Sequence, residues 1–277
     1  MTHAELILRL PPQMDGSIHP DLAYALYGAL CAQMSPALVT VLHQQSITPL
    51  RQSVQPGAEP GLVTWSLDLF GDAEQLTTLL EGLHVIQLER FRAPLEVCAC
   101  TLAPQLTMND FLEMGAALPL VHGRVQMGFV TPCSFKQGGR YTLFPSAELI
   151  AQSLFLRWHA LMSDCGAGDE DALRMLCDGV RLEGYRLSSQ PYTFKRGLHI
   201  PAFVGEVELG THMAAPMLEL WKVLLAFAPY SGVGIKPALG MGAVQVRPPL
   251  PLSQGKKLVQ HENSISAICN STLLLLH

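Results

Sequence analysis

The sequence predicts an α+β fold in two halves, and three observations carry that prediction. Segments that alternate apolar and polar residues, read as strands, interleave with amphipathic helical stretches. The order of elements in the first half recurs in the second, without a visible sequence repeat. Pro119 separates the halves, giving a first domain over 1–118, a second over 119–252, and a tail over 253–277 to which no role is assigned. With 277 residues, 49% hydrophobic and 15% charged, the chain can bury two cores and is not a disordered sequence.

In the first half, Ala4 to Leu10 (AELILRL) alternates and reads as a strand ended by Pro11, Pro12 and Gly16. Asp21 is a candidate N-cap for a helix over Leu22–Gln33, with Leu22, Leu26, Ala29 and Leu30 as its apolar stripe. Ser35-Pro36 starts a second helix, Pro36–Leu42, that His43 ends. Ile47–Val54 is extended, and Leu62–Phe70 (LVTWSLDLF) alternates as a strand. A helix from Asp72 or Ala73 to Leu83 precedes two extended pieces, His84–Phe91 and Leu95–Leu102. Thr107–Leu118 is a short helical connection.

The second half opens with an extended Arg124–Phe135, a basic turn at Lys136–Arg140 and a return over Tyr141–Phe144. Ser146 caps a helix to about Leu161, with Glu148 complementing its dipole. After a helical Asp169–Gly179, Val180–Phe194 and His199–Leu209 form one long hairpin turning at Lys195-Arg196-Gly197. A helix over Pro216–Phe227, a glycine-rich loop and a strand over Ala243–Val246 complete the set. Two ferredoxin-like domains in tandem is the architecture these elements predict.

The loop, Ser231 to Val246 (SGVGIKPALGMGAVQV), carries Gly232, Gly234, Gly240 and Gly242 with Lys236 between them. Glycine permits positive φ and close backbone approach, and successive N–H groups in such turns bind anions. The loop is thus expected to hold phosphate through its main chain; a flexible linker is the competing reading. It lacks GxxxxGK[ST] and follows a helix, so it is not a nucleotide phosphate loop or a dinucleotide fingerprint.

A net charge of −5 argues against a generally basic nucleic-acid binder without excluding local basic patches. Seven cysteines with no CxxC spacing fit buried thiols in a reducing cytosol. No basic leader with an apolar core opens the sequence, and no apolar run nears eighteen residues, so a cytoplasmic protein with no membrane partner is expected. No HExxH, His/Cys/Asp cluster or paired acidic motif suggests a metal, and no cofactor is expected.

Three segments resemble the CRISPR-associated endoribonucleases that cut precursor CRISPR RNA within its repeats, a branch of the RAMP superfamily with RRM-like domains. The glycine loop SGVGIKPALGMGAV is similar to the family's C-terminal signature. Gly128 to Trp158, GFVTPCSFKQGGRYTLFPSAELIAQSLFLRW, is similar to its strand–hairpin–helix opening of the second domain. SPALVTVLHQQ puts His43 where the family carries its catalytic histidine.

The resemblance implies metal-independent cleavage by attack of a 2′-hydroxyl, leaving 2′,3′-cyclic phosphate and 5′-hydroxyl ends. It implies CRISPR repeat RNA (precursor crRNA) as partner, with an interference complex and a homodimer as further candidate assemblies. A catalytically silent RAMP subunit that binds guide RNA is the alternative, and a tandem module binding a small anionic metabolite is a third. Histidine titrates in the range a proton shuttle needs, so His43 is the candidate acid or base, against the plainer role of complementing a helix end. Tyr27 sits one residue from where some members carry an active-site tyrosine, and is otherwise a half-buried aromatic. Where members often carry a lysine this chain has Thr48-Pro49, so Arg51 is the candidate cation, or else a solvated arginine. For RNA binding the candidates are Gly232, Gly234, Lys236, Gly240 and Gly242 of the loop, Lys136 and Arg140 of the turn, and Lys195 and Arg196 of the hairpin. Arg124, Arg157, Tyr141 and Tyr192 are secondary candidates.

Overall fold

The computed structural model describes residues 1–12, 18, 22–71, 73–81, 83–88, 93–162, 169–194 and 198–249. The first unit runs β1 (Thr2–Arg9), α1 (Leu22–Gln33), α2 (Pro36–Gln44), β2 (Leu50–Pro56), β3 (Leu62–Leu69), α3 (Ala73–Glu81), β4 (Val85–Leu88) and β5 (Ala93–Leu102). Its antiparallel sheet has the order β2-β3-β1-β5-β4. β1 follows the period-two pattern: Ala4, Leu6 and Leu8 are buried on the core face, and His3, Glu5, Ile7 and Arg9 occupy the other. Leu22, Leu26 and Leu30, at the i, i+4, i+8 positions of α1, close the core over Trp65 and Leu67 of β3.

The second unit runs β6 (Arg124–Cys133), the hairpin β7 (Phe135–Gln137) and β8 (Arg140–Thr142), α5 (Ala147–Met162), α6 (Glu170–Gly179) and β9 (Val180–Ser189). It continues through β10 (Tyr192–Phe194), β11 (Leu198–Ile200), β12 (Phe203–Thr211), α7 (Ala215–Ser231), a 3₁₀ turn at Pro237–Leu239 and β13 (Val244–Arg247). The sheet order β13-β6-β12-β9 is that of a ferredoxin-like unit, fourth-first-third-second, with every neighbouring pair antiparallel. The first unit has the same order with β5 as its fourth strand, plus β4 added at the edge.

Three features depart from expectation. The long hairpin is interrupted: β9 and β12 pair as far as Ser189 and Phe203, and β10 with β11 forms a separate two-stranded ribbon. Pro191 and Pro201 stand in the two crossings, and neither has an N–H to continue the ladder. α7 runs to Ser231, four residues beyond Phe227, with Pro229 in its last turns and Gly232 N donating to Ala228 O at its end. The third concerns the connection between the units. α4 (Met108–Ala117), opened by a capping box between Thr107 and Asp110, lies ahead of the expected boundary, yet its core residue belongs to the second unit. Phe111 is fully buried, edge-on to Trp158, Phe227 and Tyr230 at centroid distances of 6.0, 5.4 and 5.5 Å.

Among the described residues no helix is long and apolar enough to cross a membrane. The described cysteines, Cys31, Cys98, Cys100, Cys133 and Cys177, are free thiols. Phe111→Ala is expected to destabilise the protein by about 3–5 kcal/mol, the cost of a large aromatic cavity. Urea unfolding followed by tryptophan fluorescence checks this, and a loss under about 1 kcal/mol would show that α4 is peripheral to the second core.

Candidate functional site

The glycine loop leaves α7 through a chain of left-handed residues: φ is +70° at Gly232, +80° at Gly234, +53° at Lys236, +93° at Gly240 and +66° at Gly242. Two of the glycines are fixed by close approach as well. A Cβ on Gly242 would lie 1.9 Å from Val233 O, and one on Gly234 would lie 2.4 Å from Ser134 O. Lys236 is one of two described non-glycine residues at positive φ, at the point where the loop turns into Pro237.

The main-chain donors of the four glycines and of most of their neighbours are engaged inside the protein, which corrects the expectation of a cradle built from the glycine amides. Val233 N donates to Gly242 O, Ile235 N to Ser134 O and Gly242 N to Pro132 O, each at 2.9 Å. Gly234 N donates to Ser153 Oγ and Ala243 N to Thr131 Oγ1, also at 2.9 Å. Gly232, Leu239, Gly240 and Met241 donate to carbonyls of α7 or of the loop itself. The amides of Gly232, Gly234, Gly240 and Gly242 are therefore not open to a phosphate, and positive charge on the loop rests with the half-buried Lys236 side chain.

What the loop does is join the two units. The 3₁₀ turn lies on β2 and α1, and Ala238 is buried in the first unit's core. A Cβ on Gly240 would fall 2.5 Å from the Cβ of Ala23 on α1. Gln52 of β2, fully buried, donates through Nε2 to Ala23 O at 2.9 Å and to Ala238 O at 2.7 Å, and accepts Trp65 Nε1–H at 2.7 Å. From the other side, Arg157 Nη2 donates to Gly234 O at 2.9 Å. Burial lowers the Arg157 guanidinium to about 10, so this arginine is a structural support and not a surface RNA contact. Tyr192, likewise buried, donates its hydroxyl to Leu239 O. An open cleft of about 370 Å3 lies between the units, walled by Val54–Pro56 of β2, Val130–Pro132 of β6, Tyr192 and Gly240.

The expected catalytic residues are placed unequally. His43 lies in α2, which extends to Gln44; its side chain lies outside the described residues. Residues 45–49 then lead directly into β2, the strand that holds the loop. Tyr27 is half-buried on α1 against the first core. Burial, and then the Cys31 thiol one turn away, push its phenol up, so the group keeps its proton and can act as a donor but not as a base. Arg51 is the clear correction. It is 6% exposed, with Nη1 2.8 Å from Oδ2 of Asp68, itself fully buried, so its charge is matched within the protein. Asp68 Oδ1 also meets His3 Nδ1 at 2.7 Å, and the Tyr230 ring at the end of α7 stands edge-on to His3. The hydrogen bond to Asp68 is the main reason the His3 imidazole is raised above its ordinary value.

Lys136 and Arg140 sit on the exposed β7–β8 hairpin, with Tyr141 directly across from Lys136. Lys195 and Arg196 lie outside the described residues. Arg124 is tied to Glu208 at 3.0 Å and to Glu183 at 3.7 Å. Among the described residues, no group of three or more His, Cys, Asp or Glu side chains is gathered closely enough to hold a metal ion.

Residues 127–244 match the family model described as CRISPR-associated endoribonuclease Cas6. A CRISPR-associated endoribonuclease Cas6 from Streptococcus thermophilus is 30% identical over 239 residues, covering 82% of this chain and 93% of that protein. The chain belongs to the Cas6 family of CRISPR-associated endoribonucleases. The Mycobacterium tuberculosis Cas6 is 26% identical over 260 residues, covering 91% of this chain and 80% of that one. A solved Cas6 product complex superposes with a TM-score of 0.70 at 26% identity, over 89% of this chain and 99% of that one. Within this chain the family model spans β6 to the start of β13, glycine loop included, and does not reach His43 or Tyr27.

Gln52→Leu strands Trp65 Nε1–H and the carbonyls of Ala23 and Ala238. A loss of at least about 3 kcal/mol is expected, at about 1–3 kcal/mol for each buried group left unsatisfied, read from urea unfolding. The His3–Asp68 contact sets a pH dependence. Because the folded His3 is raised, its contribution to stability is complete below the unfolded histidine pKa of about 6.5 and is lost as pH rises through the folded value. His3→Gln should remove that part of the pH profile of stability while leaving the profile above it unchanged.

Proposed function

We propose that this Cas6 protein cuts precursor CRISPR RNA within its repeats by internal transesterification. The 2′-oxygen of the nucleotide before the cut forms a bond to phosphorus as the bond to the 5′-oxygen breaks. A neutral His43 imidazole takes the 2′-hydroxyl proton, or its protonated form supplies the proton the leaving 5′-oxygen needs. The products carry a 2′,3′-cyclic phosphate and a 5′-hydroxyl, and no metal enters the step. Tyr27, protonated at neutral pH, serves as a hydrogen-bond donor to the phosphate. Lys236, Lys136, Arg140, Lys195 and Arg196 contact the RNA backbone, which positions the strand without reading its sequence.

The observation that carries this reading is the Gln52 contact. It ties β2, which follows the His43 helix, and α1, which carries Tyr27, to the loop that presents Lys236. The family supports it: a Cas6 product complex is among the solved structures like this chain.

The test uses the purified protein with its host's repeat RNA. Cutting should persist in EDTA, stop when one 2′-deoxynucleotide precedes the scissile phosphate, and fall about 10²–10⁴-fold in His43→Ala, the range for loss of a general acid or base. Loss of cutting on chelation would falsify the mechanism. Tight binding with no cutting by the wild-type protein would instead identify a silent RNA-binding subunit. Binding should also weaken steeply with salt as phosphate contacts release counterions, and an affinity flat in salt removes the role given to the lysines and arginines.

A further inference from the structure

Lys236 adopts φ +53°, ψ +43°, a left-handed conformation that a side chain with a Cβ disfavours. A residue strained in this way persists where its surroundings over-determine it, and such residues gather at functional sites. Lys236 is held from both directions. Downstream, Ala238 is seated in the first unit's core, and its carbonyl takes Gln52 Nε2–H. Upstream, the hold comes from α5 and the end of β6. Ser153 and Arg157, four residues apart and so on one face of α5, grip Gly234 at both ends of its main chain. Gly234 N donates to Ser153 Oγ and Arg157 Nη2 donates to Gly234 O, each at 2.9 Å. On either side of this grip, Cys133 Sγ donates to Val233 O at 3.4 Å and Ile235 N to Ser134 O at 2.9 Å.

Arg157 differs in kind from the other anchors. It is 8% exposed, and among the described residues no carboxylate pairs with it. The titratable group beside it is the Cys133 thiol, which burial keeps protonated. Burying an unpaired guanidinium is costly, and a neutral side chain would avoid that cost. What the charge adds is a stronger hydrogen bond to the Gly234 carbonyl, two residues ahead of Lys236. A loop that needed only to fill space would have no use for it. One that must present a single lysine in a disfavoured conformation would.

We infer that Ser153 and Arg157 are positioning residues for RNA binding: by gripping Gly234 they hold Lys236 in the left-handed turn from which its ammonium meets an RNA phosphate. Neither residue touches the RNA. This rests on the RNA reading above and deepens it, because it assigns the setting of the loop's cation to one face of α5, a helix outside the loop.

The test is a double-substitution cycle on the full chain, with binding to its host's repeat RNA measured across a salt series. Lys236→Ala should lower the log–log salt slope by about 0.7–0.9, the value of one phosphate contact. Arg157→Met should lower it toward the same value and weaken binding by no more than Lys236→Ala does. The double variant should bind within about twofold of the weaker single variant, since two residues that act through one contact do not add. Ser153→Ala removes only a hydrogen-bond acceptor, and it should show the same dependence on Lys236; it carries the test if Arg157→Met does not fold. Losses that add in the double variant overturn the inference, because a general loosening of the fold would add to the loss of Lys236. A salt slope left unchanged by either folded variant, or a loss larger than that of Lys236→Ala, overturns it too. Wild-type protein that binds no repeat RNA, or Lys236→Ala with the wild-type slope, overturns the RNA reading on which the inference rests.

Discussion

The primary amide of Gln52 engages both its hydrogens and its oxygen inside the protein, and with the packing of Phe70 on Phe227 it joins the two units. One hydrogen goes to α1, the other to the glycine loop 186 residues further along the chain, and the oxygen receives the indole of Trp65. Each of these partners is buried, so each would lose its hydrogen bond without recovering water if the loop withdrew. The glycines serve this attachment. Their positive φ angles fold the loop tightly enough for Ala238 to enter a core built by the first hundred residues. The cleft beside it is bordered by both units and by Gly240 of the loop.

Much of the fold is legible in the sequence because it is local. The alternation of β1, the stripe of Leu22, Leu26 and Leu30, and the order of elements in the second unit depend on residues a few positions apart. The departures have non-local or steric causes. Phe111 reads as part of a connecting helix, and only its contact with Phe227, more than a hundred residues later, assigns it to the second core. Pro191 and Pro201 are visible in the sequence, and their missing donors were a signal that the long hairpin had to divide.

The site was legible in kind but not in detail. Glycines at Gly232, Gly234, Gly240 and Gly242 announce unusual backbone angles, yet the partners of their amides, such as Pro132 O and Ser153 Oγ, come from distant elements. Arg51 illustrates the same limit. It meets Asp68 because β2 and β3 pair in a register that sets them opposite, and His3 joins because β1 flanks β3 from the other side. No spacing along the chain encodes that row. It replaces the expected cation with a buried, internally matched group, and leaves positive charge to the hairpin and the loop.

The loop's insertion also gives the protein a direction in time. A ribosome releases Gln52 and Trp65 long before it makes Ala238, so the N-terminal unit emerges with part of its interior open and one hydrogen of the Gln52 amide unmet. That unit stays incomplete through the synthesis of nearly the whole second unit and is sealed by the turn at Pro237–Leu239, which comes late in the chain. Maturation is thus closed from the C-terminal side, and a nascent chain truncated before the turn at Pro237 would present its unfinished face to chaperones.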